Sequence, residues 1–115
     1  MNTRQKGSRG EDRAVDYLLG KGYRIVTRNY QSRNGEIDCI AESPDGSLVF
    51  IEVKSMHSGG GGCPLFWVNR RKQKKIATMA QQYLAEHELF GTACRFDVIA
   101  IVNDSIEHIR NAFLV

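Results

Sequence analysis

No stretch of this chain approaches the roughly 18 consecutive apolar residues of a transmembrane span, so no membrane-crossing helix is expected. Cysteine is scarce. Cys39, Cys63 and Cys94 are odd in number, show no C-x-x-C spacing, and two of them fall in runs that read as strands. That argues against a disulfide framework and a zinc site, and for reduced thiols in a cytoplasmic protein. The opening residues, Met1-Asn2-Thr3-Arg4-Gln5-Lys6, are polar and run into a helical pattern, so no signal peptide is expected. Internal repeats and linker-like segments are also lacking, which predicts one domain over residues 1–115, long enough to bury a core without staples. A strong charge imbalance is missing too. The net charge of +3 is too mild by itself to imply a polyanionic partner.

What is present is local. Asn69-Arg70-Arg71-Lys72-Gln73-Lys74-Lys75 concentrates basic residues, and Lys21, Arg24, Arg28 and Arg33 form a looser group. Such clusters matter more than the total when the partner is a polyanion. The spacing of Ala14, Tyr17, Leu18 and Lys21 predicts a helix over 8–20, closed by Gly20 and Gly22. Strands are predicted at 23–30, 36–42 and 47–55. Ser43-Pro44-Asp45-Gly46 is a tight turn between the last two. The four glycines at 59–62 predict a mobile loop within 56–66. A second helix is predicted from Asn69, a capping residue, to about Glu88, with Ile76, Met79, Ala80, Tyr83 and Leu84 as its apolar stripe. Strands at 95–102 and 106–113 follow, joined at Asn103-Asp104-Ser105, for an order α-β-β-β-α-β-β.

The hairpin of Gly35-Glu36-Ile37-Asp38 and Ile51-Glu52-Val53-Lys54 carries charge where strands usually carry apolar residues. Burying such charges costs several kcal/mol unless they are paired, solvated or metal-bound. A turn centred near Asp45 would set Asp38 opposite Glu52 and Glu36 opposite Lys54, with each strand's two charges on one face. Opposed carboxylates want a shared proton or a cation, and an all-oxygen donor set suits Mg²⁺ or Mn²⁺. Lys54, two residues on, is placed to hold a phosphate oxygen or orient a water, which completes the parts for metal-assisted phosphodiester hydrolysis. A Glu-x-Lys pair is more often a solvated face. Here Leu48 and Phe50 on one side and Val49, Ile51 and Val53 on the other imply a strand buried on both faces.

These residues match the Asp…(Asp/Glu)-x-Lys pattern of the restriction-endonuclease-like, or PD-(D/E)XK, superfamily. Within it the chain resembles the bacterial YraN family of uncharacterised predicted nucleases, which is itself similar to archaeal Holliday-junction resolvases. The resemblance runs through Gly7-x-x-Gly10-Glu11-x-x-Ala14 with Tyr17-Leu18, Gly22-Tyr23 and Arg28-Asn29-Tyr30, the two hairpin motifs, Val68 with Lys72, Ala80 with Tyr83-Leu84, and Arg95-Phe96-Asp97-Val98. It implies an α/β, restriction-endonuclease-like fold, with a central mixed β-sheet of about five strands flanked by helices. It also implies Asp38 and Glu52 as metal ligands, Lys54 as the catalytic lysine and Glu11 as a supporting acid. Two departures stand out: Ile37 replaces the superfamily's proline, and Ser55-Met56-His57 with four glycines replaces an arginine and a more ordinary loop.

Several residues carry two readings. Arg70, Arg71, Lys72, Lys74 and Lys75 oppose the helix dipole by ~0.3–1 kcal/mol each unless a nucleic-acid phosphate sits there, and Arg70, Arg71, Lys72 and Lys75 are the candidate nucleic-acid-binding residues. Glu11 is also readable as a surface acid. Glu36 reads first as an ion-pair partner of Lys54 and second as an accessory ligand. Asp97 reads first as a structural hydrogen-bonding group. Phe66 and Trp67 read as core or as a base-stacking surface, and His57 could orient a water; His87 and His108 receive no role. The leading expectation is a Mg²⁺-dependent endonuclease acting on DNA, with branched or irregular forms as candidate substrates. A non-catalytic nucleic-acid-binding module and a protein-interaction domain are the alternatives. Cutting both strands, or a symmetric junction, would call for a homodimer.

Overall fold

The computed structural model describes residues 3–56 and 68–113, with side chains from 10–55 and 68–113. The glycine loop, His57, Cys63, Phe66 and Trp67 lie outside the described residues. Two helices and five strands are described: α1 (Thr3–Gly20), β1 (Arg24–Ser32), β2 (Gly35–Glu42), β3 (Leu48–Met56), α2 (Arg70–Glu86), β4 (Cys94–Val102) and β5 (Ser105–Ile109). This is the expected order and the expected mixed α/β sheet. The strands lie side by side in sequence order. All neighbours are antiparallel except β3 and β4, which run parallel because the chain crosses over through α2.

Alternation along β3 decides the layering. Leu48 and Phe50 join the core under α2 with Ile40, Ile76, Met79, Ala80 and Tyr83. Val49 and Ile51 join a second core under α1 with Ala14, Leu18, Ala41 and Ile99. A strand covered on both faces cuts Glu52 off from water and leaves Lys54 only partly exposed, so Glu52 needs local compensation.

Local chemistry sets the boundaries. Gly46 N–H donates to Ser43 O at 2.9 Å, Gly46 sits at φ 89°, and Asp45 Oδ1 accepts from Ser47 N at 2.9 Å, which closes the β2–β3 hairpin where predicted. Asn69 caps α2, its Oδ1 accepting from Lys72 N at 2.9 Å. α1 begins at Thr3, ahead of the expected residue 8. The last strand is shorter than expected. It stops at Ile109 instead of reaching residue 113, because the chain turns at Asn111 (φ 52°), whose N–H donates to Asp97. Ala112 N–H then donates to Phe96 O at 2.7 Å, and Phe113 returns to the core under α2.

Candidate metal and nucleic-acid site

The β2–β3 ladder keeps the predicted register, with Glu42 on Leu48, Ala41 on Val49, Ile40 on Phe50 and Cys39 on Ile51. It ends there. Beyond it β3 stays paired with β4 as far as Met56 on Val102, while β2 pairs only with β1 down to Gly35 on Ser32. Asp38 and Glu52 are therefore not ladder partners. Instead Asp38 Oδ2 accepts the Val53 N–H at 2.8 Å, replacing a lost backbone acceptor with a carboxylate.

A backbone irregularity lies beside the break. Asn29 adopts φ 54° and drops out of the β1–β2 pairing between Arg28–Cys39 and Tyr30–Ile37. Residues two apart on a strand ordinarily share a face. Here Ile37 packs under α2 while Cys39 packs under α1. The expectation that Glu36 would face and pair with Lys54 is corrected by this irregularity. Glu36 instead accepts from Gln31 Nε2 at 3.3 Å and, with the Asn29 amide turned to donate, from Asn29 at 2.7 Å.

Glu52 is 5% exposed. Its Oε1 lies 2.6 Å from Lys72 Nζ and 3.8 Å from Lys54 Nζ. Its Oε2 is buried with no hydrogen-bond partner among the described residues. An unsatisfied buried acceptor costs ~1–3 kcal/mol, and more when it carries charge. Burial, reinforced by the Glu52 carboxylate, pushes Asp38 up to about 7, against the lowering effect of its bond from Val53 N–H. Lys54 is pulled down, first by burial and then by the neighbouring Lys72 ammonium. Burial pulls on Lys72 as well, but its bond to Glu52 outweighs that and the net shift is upward.

Glu11 reaches the same region from α1. One carboxylate oxygen from each of Glu11, Glu36 and Asp38 falls within 4.8 Å of the others, close enough to share a cation. Burial raises the pKa of Glu11, and Glu36 raises it further against the opposing Asn29 amide and Arg28. The helix runs close to the sheet here: a Cβ at Gly10 would come within 2.1 Å of Ser55 Oγ on β3. Glu52 is not one of these three. It faces the basic turn of α2.

A cleft of about 390 Å³ joins the two sides, bounded by Glu36, Asp38, Glu52, Arg71, Lys72 and Lys75. The three cations share one face of α2 with Ile76 and Met79, as helical spacing requires. Arg70 and Lys74 are exposed but do not border this cleft. The basic run is thus divided by helix geometry into cleft-facing and outward-facing residues.

Sequence reasoning missed His108. Asp97 is buried and accepts from Arg95 Nε at 3.1 Å, from Asn111 N at 3.0 Å, and bonds His108 Nε2 at 2.7 Å. His108 Nδ1 meets Tyr17 OH at 3.1 Å, so the group ties β4 and β5 to α1. Burial alone would raise Asp97, but His108, the Asn111 N–H and Arg95 outweigh it and hold it below the usual carboxylate range. The signal was available. The hairpin turn sets His108 opposite Ile99, and Asp97 shares the face of Ile99 two residues away. Asp97 itself takes the structural role expected of it.

A model of an uncharacterised protein family, UPF0102, matches residues 10–101. A UPF0102 protein of Persephonella marina is 50% identical over 94% of this chain and 92% of its own length. One from Clostridioides difficile is 44% identical over 98% of this chain and all of its own. Two solved structures are similar at low identity. A repair endonuclease from Pyrococcus abyssi is 15% identical over 77% of this chain, at a TM-score of 0.39. An EndoMS–dsDNA complex is 12% identical over 84% of this chain, at 0.46. This chain spans 34% and 38% of those two structures. Among the described residues no helix is long and apolar enough to cross a membrane.

Proposed function

The chain belongs to the uncharacterised protein family UPF0102, the YraN family that its motifs resemble, and from that premise we propose that it is a divalent-metal-dependent endonuclease hydrolysing DNA phosphodiesters. The observation that carries the reading is Glu52 Oε2: a buried carboxylate oxygen without a partner, bordering a cleft that also holds Asp38 and three cations. A hard, all-oxygen donor set of this kind fits Mg²⁺ or Mn²⁺. Asp38 and Glu52 would hold the ion. When bound, it supplies Lewis-acid polarisation of the phosphodiester and lowers the pKa of the attacking water.

The chain's own residues do the rest. Lys54, beside Glu52 and partly withdrawn from solvent, holds a phosphate oxygen or orients the water. Arg71, Lys72 and Lys75 bind phosphates along the strand, which fixes its position without reading bases. Glu11 supports the acidic side of the site through its contact with Glu36 and Asp38. The cations of the cleft suit phosphates and not base edges, and branched or irregular DNA is the proposed substrate class. A homodimer would be needed for cutting both strands of a duplex or a symmetric junction.

One observation favours a second reading. Lys72 already neutralises Glu52 at 2.6 Å, as expected of a non-catalytic nucleic-acid-binding module that has kept the fold. Incubation with linear, branched and single-stranded DNA in Mg²⁺ or Mn²⁺ separates the two. The nuclease reading expects cleavage that is abolished by Asp38→Ala or Glu52→Ala. Salt-dependent binding with no cleavage in either metal would establish the binding module instead.

A further inference from the structure

Among the described residues the closest charged neighbour of Glu52 is not Lys54 of the hairpin motif but Lys72, in the first turn of a different element. Its Nζ is 2.6 Å from Oε1, against 3.8 Å for Lys54. The Lys72 side chain is 37% exposed and borders the open cleft, whereas that of Glu52 is 6% exposed. One partner is therefore fixed in the sheet and the other is a long, flexible side chain with a path to solvent. Its backbone is anchored independently, because its N–H is held by the Asn69 cap. The ammonium can move without unwinding the helix.

We infer that Lys72 is a displaceable internal counter-ion: without metal its ammonium neutralises Glu52 from the Oε1 side, and a divalent ion gains Glu52 only as Lys72 withdraws, a move that a bound DNA phosphate favours. The inference rests on the metal-dependent reading of the site and adds to it a competition between lysine and metal. A buried carboxylate cannot stand unpaired without a cost of several kcal/mol, so something must neutralise Glu52 whenever no metal does. Lys72 lies nearest to it among the described cations. Metal and ammonium bring like charge to one small volume, so each must weaken the other's hold. Arg71 and Lys75 border the same cleft, and a phosphate bound beside them gives the released ammonium a favourable destination. Metal and DNA would then bind cooperatively, each favouring the lysine position that suits the other.

The test is isothermal titration calorimetry of Mn²⁺ into the full-length wild type, Lys72→Met, Lys72→Arg and Arg71→Gln, without DNA. Displacement predicts that Lys72→Met binds Mn²⁺ at least tenfold more tightly than wild type. Lys72→Arg, which keeps a cation at Glu52, should bind no more tightly than wild type, and Arg71→Gln should gain far less than Lys72→Met. Thermal melts of the same samples check folding; metal-free Lys72→Met should melt below wild type and regain stability with Mn²⁺. Equal or weaker Mn²⁺ binding by Lys72→Met, with wild type binding normally, overturns the inference and leaves the metal-dependent reading standing. Absence of Mn²⁺ binding by every variant overturns both.

Discussion

Asp38→Asn should stabilise the metal-free protein at about pH 8 while removing metal binding, because Asp38 is held at a cost to the fold. Burial, then repulsion from Glu52, raises its pKa from 3.8 to about 7. A carboxyl raised on folding contributes its full stability below the unfolded value and loses it as pH rises through the folded one. The window is therefore about pH 4 to 7, with stability falling as pH increases. At about 1.4 kcal/mol per unit, the ceiling is on the order of 4 kcal/mol. Asp38 is only partly buried, which lowers the expected gain to ~1–3 kcal/mol at about pH 8. Asparagine can still accept from the Val53 N–H, so the backbone contact at 2.8 Å survives the substitution. Urea unfolding at several pH values is the assay. The advantage of the variant should grow from near zero below about pH 4 to its full value by about pH 8, and Mg²⁺ should stabilise the wild type alone. A variant that is less stable than wild type at alkaline pH, with an unchanged pH slope, would refute the reasoning.

Asp97→Ala should cost ~3–5 kcal/mol in chemical denaturation, since it strands Arg95 and His108 in a buried network. Because Asp97 is held low, its stabilisation is present at neutral pH and fades as pH falls below the ordinary carboxylate range; Asp97→Asn should show less acid sensitivity than wild type. Gly10→Ala should destabilise the wild type, but in a Ser55→Ala background it should be neutral or stabilising by up to ~1 kcal/mol, because the clash is with Ser55 Oγ and alanine favours the helix. Neutralising Arg71 and Lys75 together should reduce the slope of log affinity for DNA against log salt by ~2, whereas Arg70→Ala should change it less, since Arg70 does not border the cleft.

Much of this architecture is legible because local rules and tertiary packing agree. Alternation along residues 48–53 announces a strand buried on both sides, and Ser43-Pro44-Asp45-Gly46 fixes a register that holds from Glu42–Leu48 to Cys39–Ile51. The reading failed where the backbone leaves the regular pattern. The alternation of β2 reverses between Ile37 and Cys39, beside Asn29 at φ 54°, and Glu36 is gathered with Glu11 and Asp38 instead of with Lys54. No periodicity rule anticipates a positive φ at a residue that is not glycine. The pairing of Lys72 with Glu52 was hidden for a different reason. It depends on how far α2 is displaced over the sheet, a packing quantity that neither element's own sequence encodes. The tie from Asp97 through His108 to Tyr17 was within reach, since a buried aspartate demands partners and the hairpin register supplies one.

Hydrolysis as proposed requires Asp38 and Glu52 to form a divalent-metal site. Anomalous diffraction from crystals equilibrated with millimolar Mn²⁺ tests it most directly. Such a site predicts a single strong peak bonded to an Asp38 oxygen and to Glu52 Oε2, with Lys72 Nζ withdrawn from its 2.6 Å contact. No peak, or one held only by Glu11 and Glu36 while Lys72 remains on Glu52, would contradict it.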